Sequence, residues 1–145
     1  MIKKVLVVCI GNICRSPMGE AWLAAALPNV QVSSAGLGAL VGHGADPTSC
    51  KIMHEQQLDL SAHRARSINE AQARDSDLIL VMETSHKERI EQQYPFTRGK
   101  VFRLAESIKQ DIPDPYRESE AVFRDAAALI KTGCEAWVKR ICAIN

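Results

Sequence analysis

The chain lacks three features that would place it in a broad class at once: an excess of charge of one sign, a long apolar run and regularly spaced cysteines. Its 18 lysines and arginines nearly balance 17 aspartates and glutamates, which leaves a net charge of +1 and no global field that would draw it onto nucleic acid or an anionic membrane. The longest apolar run, residues 21–27, is far shorter than the roughly 20 residues that cross a bilayer. The five cysteines are odd in number and irregularly spaced, unlike a disulfide framework. We therefore expect a soluble cytoplasmic protein that neither enters a membrane nor binds nucleic acid.

The hydrophobic pattern predicts strands that alternate with helices. The 145 residues, 46% of them apolar, are enough for one domain with a substantial core. Short apolar runs predict four buried strands, which lie at residues 5–10, 30–34, 77–82 and 100–104. Capping residues and helical spacing predict helices that begin at or near Ser16, Asp46, Asn69, Thr84 and Ser119. This alternation predicts a doubly wound α/β fold with parallel strands, in a single domain over residues 1–145.

Residues 9–16, which we name the cup, carry the chemistry. They fit the pattern C-x5-R-S between a buried strand and a helix that begins with a proline. In an open α/β sheet, ligands bind at the carboxyl ends of the strands, where the next helix offers unpaired N–H groups and a positive dipole end. Arg15 adds a bidentate clamp, and the same field favours the nucleophilic thiolate of Cys9. We expect a phosphate dianion to be bound by Ile10, Gly11, Asn12, Ile13, Cys14 and Ser16.

A phosphoryl group attacked by sulfur also needs a proton on its leaving oxygen. Asp114, in a loop with prolines on both sides of it, is the candidate general acid. It would protonate the leaving group first and activate water in the second half-reaction. Tyr116, two residues on, could stack on an aromatic leaving group. This chemistry needs neither a metal nor another cofactor.

Plainer interpretations exist for these residues. Cys9 alone could be a buried small hydrophobe, and Asp114 alone could be a turn residue. Cys14 could be a reversible disulfide partner of Cys9 or could only line the loop. The histidines show no metal-ligand spacing with any cysteine. The chain also lacks the Gly-Lys-Ser/Thr ending of a nucleotide-binding loop, which disfavours nucleotide binding.

Four segments, in order over nearly the whole chain, carry a family resemblance: the cup, Ser34-Ala35-Gly36, His63-Arg64-Ala65-Arg66 and Asp114-Pro115-Tyr116. Together they resemble the low-molecular-weight protein tyrosine phosphatases. The resemblance implies a four-stranded parallel sheet with helices on both faces and hydrolysis of phosphotyrosine through a cysteinyl-phosphate. It implies Cys9 as nucleophile, Arg15 as clamp, Ser16 as stabiliser of the leaving thiolate and Asp114 as acid and base. It also implies a left-handed Asn12 held by Ser34 and His63.

The match is closest to bacterial members that accompany tyrosine autokinases of capsule and exopolysaccharide export, because residues 34–42 and 114–117 look like theirs. The implied partner is a phosphotyrosine protein such as that autokinase, and we expect a monomer or weak self-association. Many eukaryotic members have an aromatic residue where this chain has Leu40, and a second tyrosine where it has Arg117. Leu40 facing Tyr116 would still form a slot for a phenyl ring, and Arg117 would favour acidic residues near the phosphotyrosine.

Two other functions compete. Thiol-dependent arsenate reductases resemble this fold and share the C-x5-R loop. They also need two further cysteines that relay a disulfide from a loop after the third strand. Residues 82–93, which follow the third predicted strand, contain no cysteine. A non-catalytic module that only captures a phosphoanion would need neither the nucleophile Cys9 nor the acid Asp114. A tyrosine phosphatase is therefore the leading hypothesis.

Overall fold

The computed structural model describes all 145 residues and centres on one parallel four-stranded sheet. The strands are β1 (Lys4–Cys9), β2 (Gln31–Gly36), β3 (Leu78–Val81) and β4 (Val101–Arg103), in the order β2-β1-β3-β4. In this register Cys9 lies opposite Gly36, and Val8 lies between Ala35 and Val81. The predicted four-stranded parallel sheet is confirmed.

Helices cover both faces of the sheet. They are α1 (Arg15–Ala26), α2 (Pro47–Glu55), α3 (Glu70–Asp75), α4 (Thr84–Gln93) and α5 (Glu120–Ile144). Because side chains alternate along a strand, Val5 and Val7 of β1 join the larger apolar cluster with α1, α2 and α5, whereas Leu6 and Val8 join a smaller one with α3 and α4. The doubly wound arrangement follows from this alternation. None of the helices combines the length and the apolar character needed to cross a bilayer.

The predicted caps are correct at three helices and wrong at two. The side chains of Asp46, Asn69 and Ser119 accept backbone N–H groups at the starts of α2, α3 and α5. Ser16 is not the cap of α1, which begins after Cys14, and Thr84 is the first residue of α4 rather than its cap. The Ser16 hydroxyl instead contacts Cys9 and Asn12 inside the cup. At the start of α4, the Thr84 N–H donates to the carboxylate of Asp111, which lies in another loop.

The strand order brings three loops to one edge of the sheet. The chain leaves β1 toward β2 on one side and returns to β3 on the other, so the carboxyl ends of β1 and β3 flank a topological switch point, where open α/β sheets bind ligands. The loop after β1 is the cup, the loop after β3 holds Glu83, and residues 109–119 cross above both. The fold thus assembles the candidate site from segments that are far apart in the sequence.

Candidate active site

The cup is turned so that its carbonyl groups point outward and its N–H groups remain available. All six carbonyl oxygens of residues 9–14 accept a hydrogen bond from surrounding segments. The N–H groups of Leu37, Gly38 and Leu40 donate to the carbonyl groups of residues 9, 10 and 11, respectively. The carbonyl groups of residues 12, 13 and 14 accept from His63 Nε2–H, the Asp46 N–H and the Ser49 hydroxyl, respectively. By contrast, no protein acceptor binds the backbone N–H groups of residues 10–14. These groups are free to bind an anion.

Asn12 supports the shape of the cup from within. It is fully buried and has φ 57°, the left-handed conformation that asparagine tolerates better than most residues. Its Nδ2 donates to Ser34 Oγ at 3.0 Å and to Ser16 Oγ at 2.8 Å. Its Oδ1 accepts the Arg66 N–H at 3.0 Å, and its carbonyl accepts His63 Nε2–H at 2.6 Å. The implied left-handed Asn12, held by Ser34 and His63, is confirmed in the geometry.

Cys9 ends β1 at the floor of the cup, with only 2% of its surface exposed. Its Sγ lies 2.9 Å from Ser16 Oγ. Asn12 Nδ2 donates to the same oxygen, so Ser16 Oγ joins Asn12 and Cys9 in one buried network of contacts.

The Arg15 guanidinium has one anchored edge and one open edge. Its Nη1 donates to Glu83 Oε2 and to the carbonyl of Ile112, both at 2.7 Å. Its Nη2 lies 3.7 Å from Asp114 Oδ2, and its Nε is buried without a hydrogen-bond partner. Arg15 lines the cavity of the cup, so Nε and Nη2 present the paired donors that bind two oxygens of one anion.

The loop that carries Asp114 is tied to the sheet at several points. The Ile112 N–H donates to the carbonyl of Met82 at 2.9 Å. Asp111 Oδ1 accepts the Thr84 N–H at 3.0 Å and Arg103 Nη1 at 3.1 Å. Asp114 itself keeps 45% of its side chain exposed, and its Oδ1 accepts the N–H of Tyr116 at 3.1 Å. The carboxylate therefore stands at the mouth of the cavity, beside the guanidinium and in contact with water.

One cavity of about 130 Å³ is lined by nine of the predicted site residues and by Gly38, whereas Asn12 and Ser16, also predicted to bind phosphate, do not line it. Its lining is Cys9, Ile10, Gly11, Ile13, Cys14, Arg15, Gly38, Leu40, Asp114 and Tyr116. Leu40 and Tyr116 thus form part of the same wall, as the sequence predicts. The Arg117 guanidinium covers the outer side of the Tyr116 ring, 5.1 Å from its centroid.

The remaining cysteines differ in setting. Cys14 is buried beside the cavity, and burial, reinforced by the charges of Asp46 and Asp114, raises the pKa of its thiol. Cys14 is therefore a neutral thiol at physiological pH, unsuited to act as a second nucleophile. Cys134 is buried in the core, Cys50 is partly buried and Cys142 is exposed.

Sequence analysis missed the residues that hold Arg15 from behind. Glu83 directly follows β3, and His86 lies one turn further along α4 with its Nε2 3.2 Å from Glu83 Oε2. A signal for Glu83 was present, because a carboxylate just after a buried strand stands at the ligand-binding edge of the sheet. Nothing in the sequence singled out His86. Glu20, which accepts the Ser34 hydroxyl at 2.5 Å, was missed as well.

Comparisons with known proteins agree with this geometry. Residues 4–143 match the family described as low molecular weight phosphotyrosine protein phosphatase. The chain is 50% identical to the probable low molecular weight protein-tyrosine-phosphatase EpsP of Ralstonia solanacearum, over 100% of each chain. The solved structure of Vibrio vulnificus Wzb in complex with benzylphosphonate has a TM-score of 0.93 at 41% identity, over 97% of this chain and 99% of that one. The YwlE arginine phosphatase from Geobacillus stearothermophilus is more distant, with a TM-score of 0.91 at 29% identity, over 97% of this chain and 94% of that one.

The match covers the cup, the helix that follows it and the loop of Asp114 together, and both nearer relatives extend over practically the whole chain. The resemblance inferred from the sequence is thereby confirmed. The chain belongs to the low-molecular-weight protein-tyrosine-phosphatase family, in the group that contains EpsP and Wzb.

Proposed function

We propose that this phosphatase hydrolyses phosphotyrosine with Cys9 as nucleophile, Arg15 as oxyanion clamp and Asp114 as general acid and base. One observation carries the proposal: a single cavity is lined by Cys9, Arg15 and Asp114, and Arg15 Nε and Nη2 are not hydrogen-bonded to the protein. A nucleophile, a charge stabiliser and a proton donor around one space are the groups that phosphoryl transfer requires.

In the first half-reaction the Cys9 thiolate attacks phosphorus and the bond from phosphorus to the tyrosine oxygen breaks. The N–H groups of residues 10–14 and the Arg15 edge bind the three equatorial oxygens, where charge is spread in the transition state. Asp114 donates its proton to the departing phenolic oxygen, so that tyrosine leaves as a neutral phenol. Its exposed position at the cavity mouth suits a group that must meet a leaving group on the side opposite the sulfur.

In the second half-reaction water attacks the phosphorus of the cysteinyl-phosphate. Asp114, now a carboxylate, takes a proton from that water, and the bond between sulfur and phosphorus breaks. The Ser16 hydroxyl, 2.9 Å from Cys9 Sγ, stabilises the departing thiolate. Inorganic phosphate leaves, and Asp114 is again protonated for the next cycle. Over both steps, one phosphomonoester and one water become one tyrosine and one phosphate.

The cavity walls favour an aromatic phosphomonoester. Leu40 and Tyr116 present apolar surface above the cup, and a phenyl ring between them would bury area that a serine side chain does not have. Cys9 is only 2% exposed, and we expect the longer stem of phosphotyrosine to reach it more readily than the shorter stem of phosphoserine. Phosphoarginine is the competing substrate, because a relative at 29% identity is an arginine phosphatase. The relative at 50% identity, named a tyrosine phosphatase, favours phosphotyrosine.

The biological partner we propose is a tyrosine autokinase of exopolysaccharide or capsule export, acting in the cytoplasm. The support is the resemblance of residues 34–42 and 114–117 to bacterial members that accompany such kinases. Five free cysteines suit a reducing compartment. Arg117, exposed beside the Tyr116 ring, would attract acidic residues near the phosphotyrosine. We propose that the chain acts as a monomer or a weakly associating species.

Hydrolysis of a phosphotyrosine peptide, in excess chelator and after fresh reduction, tests the proposal. Cys9→Ser should abolish turnover, and Asp114→Asn should lower kcat by about 10²–10⁴-fold, the range for a lost general acid. Matched controls are Cys142→Ser and Asp125→Asn, both at exposed positions of α5, which should leave kcat unchanged. Phosphoserine and phosphoarginine peptides serve as alternative substrates.

Each contrary outcome points to a different error. If the wild type hydrolyses none of the three peptides, the remaining hypothesis is a module that only binds phosphoanions. Full activity in Cys9→Ser would mean that the nucleophile lies elsewhere. A preference for phosphoarginine would show that the proposed substrate class is wrong, and the proposed mechanism would stand. Acid quenching of the wild type, followed by mass spectrometry, should show the phosphoryl group on Cys9 and on no other cysteine.

A further inference from the structure

Ser49 is a fully buried serine that the proposed mechanism does not use. It lies in the first turn of α2, a helix that the carboxylate of Asp46 already caps. The Ser49 hydroxyl instead leaves its own helix and donates to the carbonyl of Cys14 in the cup at 3.1 Å. A buried hydroxyl costs free energy unless it is hydrogen-bonded. This contact between two separate elements is therefore what allows a polar residue at the position.

The carbonyl that Ser49 binds lacks its usual partner. Cys14 is the N-cap of α1, and the carbonyl of an N-cap residue ordinarily accepts the first hydrogen bond of its helix. At the other four helices the N-cap carbonyl accepts such a bond. No backbone N–H donates to Cys14 O, and no side chain caps α1. The Ser49 hydroxyl is thus the one hydrogen-bond donor that fixes this carbonyl.

The direction of the Cys14 carbonyl also sets the direction of the Arg15 N–H. In a trans peptide unit the C=O and the N–H lie in one plane and point to opposite sides. Because the carbonyl is held toward α2, the Arg15 N–H points away from α2, and it has no acceptor in the protein. Cys14 and Arg15 both line the cavity of the cup, whereas Ser49 does not. The N–H is therefore free to bind an anion in that cavity.

We propose that Ser49 is a positioning residue that holds the peptide unit between Cys14 and Arg15 so that the Arg15 N–H meets the phosphoryl group. The inference rests on the proposed function, because it assumes that the cup binds the transferring phosphoryl oxygens. Without the hydroxyl, the carbonyl is free to turn toward the axis of α1 and accept the Met18 N–H, the donor of a regular helix start. The Arg15 N–H turns with it. The loss is greatest in the transition state, whose equatorial oxygens the cup must fit.

The variants Ser49→Ala and Ser49→Thr separate the hydroxyl from the space that it fills. Ser49→Ala removes the donor, and kcat for a phosphotyrosine peptide should fall about tenfold or more, because small misplacements of a catalytic group are costly. KM should change little. Inhibition by orthovanadate, which adopts the trigonal bipyramidal geometry of the transfer step, should weaken more than inhibition by phosphate. Ser49→Thr keeps the hydroxyl and should retain most of the wild-type kcat and vanadate affinity.

Ser76→Ala is the matched control. Ser76 is also buried, and its hydroxyl donates to the backbone carbonyl of Gln72 at 2.7 Å, at the end of α3 and outside the cavity of the cup. Both alanine variants should lose thermal stability, since each removes a hydrogen bond to a backbone carbonyl. Only Ser49→Ala should also lose kcat and vanadate affinity.

Wild-type kcat and vanadate affinity in a folded Ser49→Ala protein would overturn the inference. Equal defects in folded Ser49→Ala and Ser49→Thr proteins would overturn it as well, because packing rather than the hydroxyl would then be the cause. If the alanine variant does not fold, Ser49→Cys, whose thiol is only a weak donor, takes its place in reducing buffer.

A measurement without turnover reports on the Arg15 N–H directly. When phosphate is added to the wild type, the amide proton resonance of Arg15 should move downfield, because a hydrogen bond to an anion deshields the proton. The shift should be smaller in Ser49→Ala, and no shift in the wild type or an equal shift in both proteins would overturn the inference. A wild type that binds phosphate without hydrolysing peptides would refute the proposed function. The Arg15 resonance would still decide whether Ser49 positions the N–H.

Discussion

At the scale of single residues, the cup depends on side chains that shape its backbone rather than on those that touch phosphate. Asn12 turns the chain in a left-handed conformation, and its amide donates to Ser16 and Ser34. The first of these bonds joins Asn12 to the hydroxyl that contacts Cys9 Sγ, so that one asparagine links the backbone shape of the cup to the surroundings of the sulfur. Strain of this kind persists at functional sites because the surroundings over-determine it.

Asn12→Ala and Asn12→Gly separate the two roles of this residue. Glycine accepts the positive φ and alanine does not, so Asn12→Gly should be more stable than Asn12→Ala by about 1–2 kcal/mol, measured by urea unfolding. Both variants lose the donor to Ser16, and both should show a kcat far below that of wild type. Asn29→Ala, at an exposed position outside the cup, should match wild type in both measurements. Wild-type kcat in Asn12→Gly would show that the side-chain network is dispensable.

At the scale of elements, the loop of residues 109–119 works because it is fixed at its base and exposed at Asp114. Asp111 joins this loop to the start of α4 through Thr84 and to β4 through Arg103. Burial opposes ionisation of this carboxyl, but hydrogen bonds from Thr84 and Arg103 outweigh it and lower the pKa of Asp111. The loop that presents Asp114, the proposed general acid, is thus fastened by a carboxylate that stays charged in the folded state.

Asp111→Asn should loosen this loop, lowering kcat while the Cys9 region stays intact. A native pKa below the unfolded value, about 3.9 for aspartate, means that the contribution of Asp111 to stability is present above that pH and is lost as pH falls through the native pKa. The difference in unfolding free energy between wild type and Asp111→Asn should therefore be larger at pH 6 than at pH 3, by urea titration. A difference that grows as the pH falls would contradict the assigned ion pair. Asp125→Asn again serves as the control.

At the scale of the whole molecule, the longest helix packs against the sheet through a close contact of backbone with backbone. α5 crosses the larger cluster, and at Gly133 its backbone lies directly on the loop after β4. A Cβ at Gly133 would stand 2.5 Å from the Leu104 carbonyl oxygen. Only glycine allows the long helix to lie this close to the sheet.

Gly133→Ala tests that contact. Alanine usually stabilises a helix relative to glycine, but here the added methyl group must push α5 away from the sheet, and we expect a loss of about 1–3 kcal/mol in unfolding free energy. Thr132→Ala, at the neighbouring exposed position, should change stability little. An increase in stability for Gly133→Ala, measured by urea unfolding, would show that the helix has room to move.

The sequence alone was enough to predict the features of this protein that depend on neighbouring residues in the chain. Alternating apolar runs and caps predicted the four strands and the helices, since these depend on periodicity within short segments. Residues 9–16 predicted the cup because a thiol and a guanidinium with five residues between them, placed between a strand and a helix, are expected to meet around one space. The Asp114-Pro115-Tyr116 segment predicted the acid through its resemblance to a known family.

Only the tertiary structure decided how distant residues support these groups. Ser16 and Thr84 were expected to cap helices, but the cup and Asp111 supply partners that local rules do not include. Glu83 reaches Arg15 because β3 pairs beside β1, although 68 residues separate Arg15 from Glu83 in the chain. The sequence therefore predicted the kind of chemistry, because Cys9, Arg15 and the phosphate-binding backbone lie in one contiguous loop. The order of the strands decided the orientation of the Arg15 guanidinium, because that orientation depends on contacts that form only when separate strands lie side by side.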